Sequence, residues 1–93
     1  MQTIRIMDLY SRKLVERALE REMGIIESGI RTARVRLRDY EKKFKLASDR
    51  FFRKYQEGKM GDAPDIMQWA MEVQALQKLE SDRKALREIK LVS

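Results

Sequence analysis

The sequence predicts an all-α protein, a long antiparallel helical hairpin of coiled-coil character with unequal arms that assembles as an oligomeric helical bundle. Three observations carry this expectation. Met23, Ile26, Ile30, Ala33, Leu37, Tyr40, Phe44, Ala47 and Phe51 follow one another in alternating steps of three and four, which is the spacing of a helix seam. The 93 residues include one Pro and four Gly, so the chain has few places to turn. Charged residues make up 39% of it, well above the usual quarter, as suits helices with wet outer faces.

The first helix is expected over about residues 8–57. Val15 and Leu19 join the stripe upstream by two four-residue steps into Met23, a slip in phase that a helix tolerates. Gly24 and Gly29 lie off the seam, and the stripe crosses them without losing register. Each costs roughly 1 kcal/mol against Ala in a helix interior. The rival is a turn over Gly24 to Ser28, with Ser28 capping a new helix. It would put Arg31 where a capping box has an acid, and positive charge at a helix start. Continuity is therefore the reading adopted. Ser48 or Asp49 could cap a fresh turn, giving a bend there but not a reversal, because the spacing persists to Phe51.

The turn is expected over residues 58–64. Gly58 suits a left-handed helix end, and Gly61, Asp62 and Pro64 supply turn chemistry. A second helix over about 65–91 then carries Ile66, Trp69, Val73, Leu76, Leu79, Leu86 and Ile89 on one face. Residues 1–7, MQTIRIM, read equally as a frayed helix end or a short strand. Folded back on the first arm, the second would reach only to about Arg31. Leu9, Val15, Leu19, Met23, Ile26 and Ile30 would then lack a partner within the chain, although full burial is worth ~1.5–3 kcal/mol each. These six residues are the expected interface of a homo-oligomer, dimer or tetramer, or with a different protein.

Composition removes most chemistry. With no Cys and no His, disulfides, thiolate nucleophiles, zinc–thiolate sites and the usual general base are excluded. Glu16, Glu20 and Glu27 lie beside Arg12, Arg17 and Arg21 and read as surface ion pairs rather than metal ligands. No nucleotide-binding motif is present, and no catalytic residue, metal site or cofactor is expected. No run approaches the ~18 apolar residues of a membrane span, and no secretion signal is visible, so the expected location is the cytoplasm without membrane contact. The absence of Asn beside plentiful Lys, Arg and Glu points toward a heat-adapted source.

The net charge of +6 is uneven: residues 31–59 hold eleven basic and four acidic groups, while the flanking thirds are near balance. Arg31, Arg34, Arg38, Lys42 and Lys45 form a ridge that could follow a phosphate backbone, so nucleic-acid binding is the alternative function. Asp39, Glu41 and Asp49 interrupt it, and long charged side chains also serve simply to solvate a helix. The aromatic group from Tyr40 to Trp69 reads as core, with a base-stacking platform as its rival. A strand over QTIRIMD leading into a ribbon-helix-helix arm is a further DNA-binding variant, requiring a break near Gly24.

The segment FFRKYQEGKMGDAPDIMQWA, residues 51–70, resembles a pattern in short prokaryotic proteins. In these an aromatic-rich helix end, Glu-Gly and Gly-Asp precede a helix start with an acid, Trp and Ala or Ser. VERALEREM and FKLASDRF resemble the same group's long first helix and pre-turn segment. Some of its members look like the antitoxin half of TumA–TumE-type toxin–antitoxin pairs. The resemblance implies a helical hairpin that binds and neutralises a cognate toxin protein, with DNA binding for autoregulation. Gln68 stands where the group has an acid before the Trp.

Overall fold

The structure, a computed structural model, describes residues 8–92, with side chains through Ile89. Three helices form: α1 over Leu9–Phe44, α2 over Ser48–Gln56 and α3 over Pro64–Val92. Among the described residues there is no strand, and the chain is all-α. The choice between helix and strand for residues 1–7 falls outside the described residues.

Helix α1 starts on Asp8, whose carboxylate accepts from the Ser11 N–H (2.8 Å), a standard N-cap. It runs through Gly24 and Gly29 without a break. Its 36 residues span roughly 54 Å at ~1.5 Å per residue, which matches the longest dimension of the molecule, 54 Å.

The expected long helix to about residue 57 is in fact two helices. Lys45 takes the left-handed conformation (φ 53°, ψ 47°) and donates its N–H to the Glu41 carbonyl. The Leu46 N–H also reaches that carbonyl (3.3 Å), a Schellman-type end with Lys where Gly usually sits. The cost of a left-handed non-Gly residue is about 1–2 kcal/mol. The new helix has no side-chain cap from its own Ala47. Instead the Ser48 N–H donates to Glu41 Oε2 (2.8 Å), a carboxylate of the preceding helix.

The break does more than bend the chain. An unbroken helix would place Leu37 and Phe52 ~22 Å apart, yet both belong to one buried cluster. The chain leaves the line of α1 at Lys45. Helix α2 then ends on Gly58 (φ 75°), with the Lys59 N–H on the Lys54 carbonyl (2.9 Å), and α3 opens on Pro64, the favoured first position.

Helix α3 lies along α1 in a register that can be read from three contacts. Lys43 pairs with Asp65 (2.6 Å), Arg36 with Glu72 (3.1 Å), and Gly29 lies against Leu79. One side falls by sevens as the other rises by sevens, so the partners run in opposite chain order. Ending α1 at Phe44 brings the start of α3 about 20 Å closer to residue 9 than a helix to 57 would allow. The expectation that α3 stops near Arg31 therefore fails. Leu86 packs on Ile26 and Ile30, which are buried (4% and 1% exposed), with Leu19 and Met23 half-buried beside them.

Gly29 is also not off the seam: a Cβ there would lie 3.0 Å from Leu79 Cδ1, whereas Gly24 has nothing within 4 Å. Gly24→Ala should therefore stabilise the fold by up to ~1 kcal/mol, from helix propensity and a less flexible unfolded chain. Gly29→Ala should gain less or lose, because Leu79 must shift. Urea melts of the two variants check the difference.

Candidate functional site

Trp69 organises the closed end of the molecule. It is fully buried and stacks on Phe51 of α2 (centroids 3.7 Å, planes 3° apart) and on Phe44 and Tyr40 of α1 (5.3 and 5.6 Å). Its Nε1–H donates to Ser48 Oγ (3.0 Å), so the indole is satisfied as buried indoles usually are. The stacking-platform reading fails here, because the Phe51 and Trp69 faces are used up within the core and Phe52 is buried with them.

Beside this junction, α1, α2 and α3 enclose a groove of about 580 Å3, with Leu37, Phe52 and Val73 in its lining and Arg34, Arg38 and Arg53 beside them. Of the basic candidates, Arg34 is bonded to Glu80 (3.1 Å). Arg31, Arg38, Lys42 and Lys45 are exposed and have no ion-pair partner among the described residues. Lys45 is set apart from the others by the left-handed turn, so the ridge does not continue as one helical line.

The expected apolar interface divides. Ile26 and Ile30 are consumed by α3, while Leu19 and Met23 are half covered. Leu9 and Val15 remain exposed. A second flank of α1, off the heptad seam, is open as well. Tyr10, Leu14 and Ile25 are 69%, 44% and 65% exposed. Steps of four and eleven residues put all three on one side of a helix. That side faces away from α3, since the buried seam is Ile26, Ile30, Ala33 and Leu37. Ala18 and Arg21 fall on the same line, and Arg21 hides its apolar character from a simple periodicity count.

Among the described residues, no three acidic side chains converge as a metal site would require. No described helix is long and apolar enough to cross a membrane. Comparison with protein-family models, curated proteins and solved structures gives no match.

Two titrating groups sit at the two ends of α1. Hydrogen bonds from Ser11 hold the Asp8 carboxyl below its ordinary range. The Asp65 carboxylate raises Lys43, by hydrogen bonding first and by charge second. A lowered carboxyl stabilises above its unfolded pKa, and the effect is lost as pH falls through the folded value. A raised Lys stabilises below its unfolded pKa and loses that effect only in strong alkali. The first turn of α1 should therefore fray selectively below about pH 4, seen as faster amide exchange at Ser11 and Arg12. Asp8→Asn, which caps without titrating, should abolish that pH dependence.

At the junction, Ser48→Ala leaves a buried N–H unsatisfied and should cost ~1–3 kcal/mol. Trp69→Ala should cost ~3–5 kcal/mol. Chemical denaturation followed by circular dichroism measures both.

Proposed function

We propose that the protein is a non-catalytic helical-hairpin interaction module, which works by burying the outer flank of α1 against a second copy of itself. One observation carries this reading: Tyr10, Leu14 and Ile25 form an exposed apolar line on the side of α1 opposite its own partner helix. The charges around that line favour a self-contact. Residues 8–27 contain Asp8, Glu16, Glu20, Glu22 and Glu27 against Arg12, Lys13, Arg17 and Arg21. Acids and bases of similar number, interleaved along a helix, can meet an antiparallel copy of themselves as opposite charges. In a toxin–antitoxin setting of the kind that residues 51–70 resemble, the same arm would hold the toxin chain.

Ile26 and Ile30 do not test this reading, because their loss would separate α1 from α3. The informative variant joins Leu14→Asp and Ile25→Asp. Light scattering over a dilution series should give a wild-type mass of two or more chains and a variant mass of one. Helix content and Trp69 emission should be unchanged. A variant that keeps the wild-type mass overturns the proposal.

Nucleic-acid binding is favoured by a separate observation, the exposed and unpaired Arg31, Arg38 and Lys42. Phosphate binding weakens steeply with salt, whereas apolar assembly persists. On that reading, retention on immobilised RNA at low ionic strength should fall sharply when the three are changed to Gln. No retention at low salt removes it.

A further inference from the structure

We propose that two copies of this chain exchange their 48–92 segments, with residues 45–47 straightening so that α1 and α2 become one continuous helix. Three features of the molecule converge on this hinge. Lys45 is the one non-Gly residue with positive φ among those described, and Lys45, Leu46 and Ala47 include no Gly or Pro to favour a turn. A short connection held in an unfavourable conformation is the usual setting for segment exchange. The apolar spacing also runs straight across it, from Phe44 through Ala47 to Phe51. In the opened chain the Ser48 N–H would bond to the Phe44 carbonyl in ordinary helical fashion. The Glu41 carboxylate, which now caps α2, would be released.

The occupant follows from what opening exposes. Phe51 and Trp69, fully buried in the closed form, would lose Leu37, Tyr40 and Phe44 of their own α1. The surface that matches them residue for residue is the same α1 on another copy. The Lys43–Asp65 and Arg36–Glu72 pairs would likewise be remade between chains. The exchanged dimer therefore keeps the closed form's helix-packing contacts, gives up the Glu41 cap of α2 and removes the left-handed hinge. It makes no use of Tyr10, Leu14 or Ile25, so it stands apart from the association proposed above.

The chain has no Cys, so Arg38→Cys and Arg53→Cys can carry a pair of spin labels. Both positions line the same groove in the closed form, whereas a straight helix would separate them by ~22 Å along its axis. Labelled chains refolded at high concentration with excess unlabelled chain report distances within one chain only. The separated monomer should give the short distance and the dimer the long one. Lys45→Gly, which removes the left-handed penalty, should lower the dimerisation constant about a hundredfold, since each dimer relieves two hinges at ~1.4 kcal/mol each. Lys45→Val, which resists that conformation, should raise it.

A dimer whose in-chain distance stays short overturns the exchange while leaving flank association standing. Absence of any dimer after concentrated refolding of the wild type and of Lys45→Val overturns both. A long in-chain distance in a dimer that survives Leu14→Asp with Ile25→Asp supports the exchange and removes the flank reading alone.

Discussion

The stacking of Phe51 on Trp69 is the constraint from which the rest of the architecture follows. Local spacing alone favours one helix from Leu9 to Gln56, since every apolar step is helical. Against it stand the cost of Lys45 in the left-handed region, about 1–2 kcal/mol, and the start of a new helix. Turning back lets Phe51 and Phe52 enter a core with Trp69, Ile66 and Val73. Burial is worth ~1.5–3 kcal/mol per large side chain, and each aromatic pair adds ~0.5–1.5 kcal/mol. The Ser48 hydroxyl and the Glu41 carboxylate then satisfy the two polar groups that the turn would otherwise leave without partners, the indole N–H and the first amide of α2. The tertiary gain exceeds the local loss.

That local decision sets the reach of α3. A helix to residue 57 would have left the seam from Leu9 to Ile30 bare, and burying it would have required another chain. With the break at Lys45, Leu79 and Leu86 cover Ile26 and Ile30 from within the chain. The unsatisfied apolar surface is then Leu9 and Val15 near the start of α1 together with the outer flank of Tyr10, Leu14 and Ile25.

Much of this was legible beforehand, and the remainder was not for identifiable reasons. The heptad stripe correctly marks Ala33 and Leu37 as buried within the chain and places Ile26 and Ile30 on the same seam, though not their cover by α3, and Gly58 and Pro64 mark the ends of their helices because each carries its own backbone preference. Lys45 carries no such mark. What closes the turn there lies elsewhere in the chain, in the carboxylate of Glu41 and in Trp69 on another helix. Spacing of three and four is also ambiguous by nature, since Phe51 satisfies it both on a straight helix and on one folded back. The outer flank is masked in the sequence because Arg21 stands between Leu14 and Ile25, so the angle around the helix axis, not sequence order, groups them.

The same ambiguity explains the uneven charge. A heptad seam tolerates slips of seven residues, so something other than apolar spacing must choose the register. A slip of one heptad would set Arg36 against Leu79 and place Leu86 over Gly29, breaking an ion pair and losing the close approach of Leu79. Exposed ion pairs stabilise by only ~0–1 kcal/mol each, too little to hold the helices together but enough to bias one alignment over near-equals. Lys43, Arg36 and Arg34 on α1 face Asp65, Glu72 and Glu80 on α3. Part of the basic excess in the middle of the chain is therefore the complement of acids further along it. Arg31, Arg38 and Lys42 are outside that pairing, and they, with the flank of Tyr10, Leu14 and Ile25, belong to the surface the fold does not itself use.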